Sequence, residues 1–161
     1  MLVDSTTVKA HATAAGQKST AAAEALGRSR GGFSTKAHAV IDALGNCALL
    51  SLTPGQQADC PQLPALLAAL PQALGAVVAD KAYDINTVLA ARTSAHAWAI
   101  IPPKKDRLVP RPHDKNLCAD RNKIECFSRF KQCRAFATRY DKTADSFLAV
   151  THLVTALNWL R

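Results

Sequence analysis

The sequence predicts an α/β fold, a mixed five-stranded sheet flanked by helices. Two strand-like runs, residues 35–43 and 47–52, flank Leu44-Gly45-Asn46, a hairpin signal. Helix and strand patterns alternate after them, and the last third of the chain is helical in period. An early antiparallel pair followed by such alternation indicates a mixed sheet covered by helices.

The first strand is Asp4-Ser5-Thr6-Thr7-Val8, led by Leu2 and Val3. A core strand this close to Met1 suggests that a part upstream is absent, so residues 1–161 are expected to be one domain without it. Residues 12–32 are rich in Ala, Gly, Ser and Thr, with Arg28 and Arg30 before Gly31-Gly32. They read as a loop with one helical turn around residues 21–26. Thr53-Pro54-Gly55 ends the hairpin. Asp59 is the expected cap of a helix with Pro61 in its first turn. Leu63, Leu66, Leu67 and Leu70 have helical spacing, and Pro71 stops it.

Ala76-Val77-Val78-Ala79 is an apolar run ending at Asp80, as expected of a strand buried on both faces. Residues 86–92 look helical. Residues 98–101 form a strand stopped by Pro102-Pro103, and Lys104 to Lys115 is a basic loop. From about Asp120 the pattern is helical, with Ile124, Phe127 and Phe130 three apart and a further turn near Phe136. Asp141 or Thr143 begins the last helix, with Phe147, Val150, Val154, Leu157 and Leu160 as its apolar face. Trp98 and Trp159 read as core or interface residues.

A chain of 161 residues, 48% apolar and 20% charged, can bury one real core and is not disordered. Its net charge of +8 suggests a polyanionic partner, because cations that neutralise phosphates release counterions. Five cysteines, with no C-x-x-C, read as reduced thiols of a cytoplasmic protein. His113, Cys118, Cys126 and Cys133 match no standard zinc spacing. No signal peptide is evident. The most apolar stretch, residues 63–79, is broken by Pro64 and Pro71, so no membrane association is expected.

Acidic residues are scarce, and Glu24 and Glu125 are the only glutamates. Asp4 lies in the first strand, Asp80 at the end of the fourth, and Glu125 on a helix after the last. Were these carboxylates to converge they would repel one another, and a hard divalent cation relieves that cost. Oxygen ligands favour Mg²⁺ or Mn²⁺, and two such ions can drive an in-line attack on phosphate. Each acid also has a plain reading: Asp4 and Asp80 as turn or helix caps, Glu125 as partner of Arg121 or Arg129. His11 and His38 are either neighbours of such a site or polar residues on strand faces. Arg28, Arg30, Lys104, Lys105, Arg107 and Arg111 are candidate phosphate contacts.

Longer strings carry more. Asp4-Ser5-Thr6-Thr7-Val8-Lys9-Ala10-His11 resembles the first-aspartate motif of transposases of bacterial insertion sequences. Gly27-Arg28-Ser29-Arg30-Gly31-Gly32-Phe33-Ser34-Thr35-Lys36 resembles the segment that follows it there. Ala79-Asp80-Lys81-Ala82-Tyr83-Asp84 is similar to the second-aspartate motif, and Arg121-Asn122-Lys123-Ile124-Glu125 to the glutamate motif. Ala137-Thr138-Arg139-Tyr140-Asp141-Lys142 and Ala156-Leu157-Asn158-Trp159-Leu160-Arg161 also fit. The resemblance implies a DDE-type transposase catalytic domain with an RNase H-like fold. It further implies a triad of Asp4, Asp80 and Glu125, two Mg²⁺ (or Mn²⁺) ions, and cleavage and strand transfer of an insertion sequence. Its partners would be double-stranded DNA at element ends and target, and further copies of itself on DNA, with no small-molecule substrate. An N-terminal DNA-binding part is often encoded upstream in this family. The protein would be cytoplasmic and nucleoid-associated when active.

The sequence departs from the family pattern around Glu125. Arg121 fits, but Cys118 stands where Tyr is usual and Gln132 where Lys is usual, with Lys131 one residue early. Position seven after Glu125 lies ~20° from its helical face, and position six ~120° away. Ala82 replaces a usual Gly, which would strain a turn needing positive φ. With Arg121 and Lys131 added to the DNA-contacting set, the alternative is an impaired or truncated product that binds DNA or a full-length partner and regulates transposition.

Overall fold

The computed structural model describes residues 1–15, 23–70, 75–84, 98–104, 114–120 and 126–160. The sheet is built around β1 (Leu2–Ala10), whose Val and Thr residues suit a pleated surface. It pairs antiparallel with β3 (Gly32–Ile41), from Leu2 opposite Ile41 to Lys9 opposite Ser34. β3 turns into β4 (Cys47–Pro54) at the expected hairpin. Asp42 Oδ1 accepts from the N–H groups of Leu44 and Asn46, both at 2.8 Å, and Gly45 has φ +88°. Only a residue without Cβ adopts that angle freely.

Beyond Asp59 the chain forms α1 (Gln62–Ala68), burying Leu63, Leu66 and Leu67. Pro61 is its N-cap and makes no side-chain capping bond. The expected Asp59 cap is not made; that carboxylate pairs instead with Lys36 Nζ at 2.9 Å. β5 (Ala76–Val78) pairs parallel with β1, Leu2 opposite Val78, and parallel with β6 (Trp98–Ile100). Val77 and Val78 enter opposite cores, so β5 is buried on both faces as expected.

Among the described residues seven strands form, not five. The two unforeseen ones are β2 (Gly27–Ser29), in a stretch expected to be loop, and β7 (Thr138–Arg139). Both are too short to show a period of two. They open no new position in the sheet. Ser34 pairs with Lys9 on one side and Gly27 on the other, and Thr35 with Val8 and Pro54, so β2 and β4 share one edge of β3. β5 and β7 likewise share one edge of β1.

The remaining helices are α2 (Lys115–Asp120), α3 (Cys126–Lys131), α4 (Arg134–Ala137) and α5 (Ala144–Trp159). Helix thus begins at Lys115, earlier than expected. Thr143 caps α5, its Oγ1 accepting from Ser146 N–H. The buried stripe of α5 is Phe147, Thr151, Val154, Thr155 and Asn158, so the expected stripe is wrong at its far end. Leu157 and Leu160 are 56% and 85% exposed. Threonines take their place because Oγ1 of Thr151 and of Thr155 donates back to the carbonyls of Phe147 and His152, satisfying the hydroxyls inside the helix.

Two cores sandwich the sheet. One holds Leu2, Val8, Val78 and Ile100 with Cys126, Phe127, Phe130, Phe136 and Phe147. The other holds Val3, Val40 and Val77 with α1 leucines and Tyr83. Trp98 is 74% and Trp159 54% exposed, against the expectation of burial for Trp98. Trp98 starts a sheet strand whose partner Ala76 offers little surface to cover an indole. The helix expected at residues 86–92 lies outside the described residues.

Candidate active site

Alternation along a strand assigns each side chain to a face. Leu2 and Val8 point to the core of α3–α5, so Asp4, even-numbered like them, lies on that face. Val78 points the same way from β5, and Asp80 follows it by two residues. The parallel register sets Leu2 beside Val78. Two residues further on come Asp4, still in β1, and Asp80, two residues beyond the end of β5. Asp4 is thus a sheet residue of that face, and Asp80 lies just past the end of β5, capping the turn that follows it.

Both are half-buried. Asp4 Oδ1 accepts from Ser5 N–H at 2.9 Å. Asp80 Oδ1 accepts from Lys81 N–H at 2.6 Å and caps the 3-10 turn Lys81–Tyr83, so the plain capping reading of Asp80 also holds. Ala82 sits inside that right-handed turn, and Ala25 is the non-glycine with positive φ among the described residues. The expected strain at Ala82 is therefore absent: a 3-10 turn needs no glycine.

α3 begins on the face of the sheet that carries Asp4. Cys126, its first residue, is fully buried on the Asp4 face. Its thiol is held below the ordinary value by a hydrogen bond with Cys47, against burial; Arg129 lowers it further and the Asp4 charge opposes. Asp4 and the start of α3 are thus electrostatic neighbours. Glu125, which precedes Cys126 in sequence, lies outside the described residues, as do Arg121, Lys105, Arg107, Arg111 and His113. Among the described residues no three His, Cys, Asp or Glu side chains converge. The donors of the aspartate pair are hard carboxylate oxygens, which suit Mg²⁺ or Mn²⁺.

The basic candidates divide. β2 and β3 form a tight hairpin, Ser29 opposite Gly32, with Arg30 and Gly31 at its tip and Gly32 at φ +98°. Arg30 is exposed, and Arg28 is exposed with its guanidinium 5.8 Å from the Phe33 ring centroid. This hairpin adjoins Lys9, five residues along β1 from Asp4, or ~17 Å at strand rise. Lys104 is half-buried, and its N–H donates to Asp84 Oδ2 at 2.9 Å. Lys131 is exposed at the end of α3.

His11 is exposed and caps a 3-10 turn, Ala12–Ala14. His38 faces the other core, opposite Ser5, with Nε2 2.8 Å from Thr53 Oγ1. It is fully buried, and burial lowers its pKa to about 4. Neither histidine shares the face of the aspartates in the manner of a ligand, and the strand-face reading holds for His38. Two residues had no role assigned from sequence. Asp84, 3% exposed, ties the segment after β6 to the Asp80 turn. Arg139, fully buried, ties β7 to residues 24–25 and β3. The signal available for Asp84 was only that acids are scarce in this chain and that it lies four residues from Asp80.

The family described as "Transposase DDE domain" matches residues 1–159. The chain belongs to this family. A Brucella ovis protein named "Putative transposase for insertion sequence element IS6501" is 39% identical over 133 residues, 80% of this chain and 100% of that protein. No solved structure matches the chain. The resemblance read from the sequence strings is thus borne out over nearly the whole chain. Membership indicates a transposase, with DNA as its partner. Among the described residues no helix is long and apolar enough to cross a membrane.

Proposed function

We propose that this DDE domain cleaves DNA at the ends of an insertion sequence and joins the freed ends to target DNA. Its fold would be RNase H-like, and its triad Asp4, Asp80 and Glu125. The observation that supports this reading is the β1–β5 register, Leu2 opposite Val78, from which Asp4 and Asp80 each follow by two residues. Glu125 immediately precedes α3 in sequence. The three carboxylates would hold two Mg²⁺ or Mn²⁺ ions, which supply activation of an attacking hydroxyl and neutralisation of charge on the phosphate.

The chain's own contribution is placement. Central strand β1, held by neighbours on both edges, fixes Asp4, and the 3-10 turn fixes the Asp80 backbone. The glycine-flanked hairpin offers Arg28 and Arg30 to a phosphate backbone, and Asp84 anchors the basic segment that starts at Lys104. Lys105, Arg107, Arg121 and Lys131 complete the proposed DNA-contacting set. Acting on two ends, the enzyme would work as a homo-oligomer on DNA.

A second reading, an impaired copy that regulates transposition by binding DNA or a full-length partner, draws on α3. The helix ends at Lys131, and Gln132 lies beyond it in a turn. A basic side chain one residue later would therefore leave the helix altogether. The test is Mg²⁺-dependent strand transfer of a pre-cut element end into plasmid DNA, with the chain and its Asp80→Ala variant. Activity lost only in the variant supports the enzyme. No activity in either, with DNA binding retained, sinks it in favour of the regulator.

A further inference from the structure

Two of the five cysteines meet inside the core on the Asp4 face. Cys47 opens β4 and is 8% exposed; Cys126 opens α3 and is fully buried. They stand 79 positions apart in sequence, and their thiols are in hydrogen-bond contact. Alternation alone would not bring Cys47 here. Along β4, Leu50 and Leu52 pack on the core of α3–α5 and Leu49 on the other, so a regular strand would aim Cys47 with Leu49. The register breaks at that end. Val40 pairs with Leu49 but Ile41 with Cys47, which leaves Ala48 over as a bulge. The extra residue turns Cys47 onto the face of Ile41 and Cys126.

We propose that Cys47 and Cys126 are a modification site: hydrogen peroxide joins them in a disulfide that locks the start of α3 to the hairpin and switches the domain off. The switching part rests on the function proposed above, in which Glu125, the residue before Cys126, holds metal. One thiol sulfur attacks a peroxide oxygen; the O–O bond breaks, and a sulfenic acid and one water form. The second sulfur then displaces the sulfenic oxygen, which leaves as a second water. The two thiols together lose two electrons, and peroxide gains them. A dithiol reductant restores both thiols by exchange. In a reducing compartment such a bond is transient, the behaviour of a sensor and not of a structural staple.

The surroundings single out this pair. Arg129 Nη2 donates to Gly45 O at 3.2 Å, and Trp159 Nε1 to Cys47 O at 3.1 Å. The backbone at Cys47 is thus already held to α3 and to α5, and the sulfurs meet without rearranging the fold. Cys60 is engaged elsewhere, its thiol donating to Ala82 O beside the Asp80 turn. Cys118 and Cys133 lie at the margin of the core and not within it. A cavity of about 450 Å³ opens between the hairpin turn and α3, lined by Leu44, Gly45, Ile100, Leu117 and Arg129. A molecule the size of peroxide therefore reaches the residue two before Cys47. β4 is fixed along β3, so the new bond draws Cys126 toward it. A metal ligand displaced by ~1 Å costs on the order of 100-fold in rate.

The experiment treats the whole reduced chain with hydrogen peroxide, alkylates the remaining thiols and maps the unreduced peptides by mass spectrometry. A Cys47–Cys126 linkage is expected, removed by dithiothreitol, with the urea midpoint of the oxidised chain ~1–2 M above that of the reduced one. Cys47→Ala, or Cys47→Ser should the first lose wild-type circular dichroism, is expected to form no such linkage and to keep its midpoint. Strand transfer of a pre-cut end should fall ~10-fold or more in the oxidised wild type, return with dithiothreitol, and be unmoved by peroxide in the Cys47 variant. Thiols that all remain alkylatable, or Cys126 joined to Cys118 or Cys133 instead, overturn the site. A mapped linkage with undiminished strand transfer overturns the switch. A reduced chain without strand transfer takes the switch down together with the proposed enzyme, while mapping and midpoint still decide the disulfide.

Discussion

Arg139 is the residue whose removal the structure prices most directly. Its side chain is fully buried between β7, β3 and the start of α5. Nη1 donates to Glu24 O at 2.8 Å and Thr35 Oγ1 at 2.6 Å, Nε to Asp141 O at 2.9 Å, and Nη2 to Lys142 O at 3.0 Å. Glu24 in turn accepts from Ala144 N–H at the first turn of α5. Arg139→Met keeps the stem and deletes four charge-assisted hydrogen bonds, each worth ~1.5 kcal/mol or more. Relief of the guanidinium's desolvation, the main cause of its lowered pKa, offsets part of that loss. The net expectation is ~3–4 kcal/mol out of a total of ~5–15 kcal/mol. With a urea slope near ~2 kcal/mol/M, the midpoint should fall by ~1.5–2 M. Arg139→Lys keeps the charge without the fork and should fall between the two. Urea unfolding followed by circular dichroism measures all three. A loss under ~1 kcal/mol in Arg139→Met would falsify the clamp.

Three further outcomes follow from the same geometry. His38 is neutral when folded down to about pH 4, while the unfolded chain takes up its proton near 6.5, so stability is full above 6.5 and declines between 6.5 and 4. The decline should reach ~2–3 kcal/mol and be absent in His38→Gln, and urea midpoints across that pH range are the measure. Arg28→Ala and Arg30→Ala should each weaken DNA binding and reduce the slope of log affinity against log salt by ~1, read from salt titrations; an unchanged slope removes that arginine from the interface. Trp98→Ala should change stability by no more than ~0.5 kcal/mol, because the indole is mostly in water; a loss of several kcal/mol would contradict its exposure.

Local chemistry determined much of this protein from the sequence alone. The hairpin at Gly45, the strand before Asp80, the Thr143 cap and the family strings are each written in a few consecutive residues, where backbone preference and hydrogen bonding act at short range. The strings marked Asp4, Asp80 and Glu125 as the candidate acids. Which side chains meet was decided by tertiary structure. A parallel register sets Leu2 beside Val78, 76 residues on in sequence, and it is this pairing that brings the segments carrying Asp4 and Asp80 to one another. β2 and β7 exist only because β3 and β1 offer them free edge, since strands that short are not stable apart from a sheet. Asp59 left its capping role once folding brought Lys36 within 2.9 Å. On α5, apolar residues surround the helix, so periodicity could not choose the buried face; contact with the sheet and with Phe136 chose it, and left Leu157 and Leu160 outside.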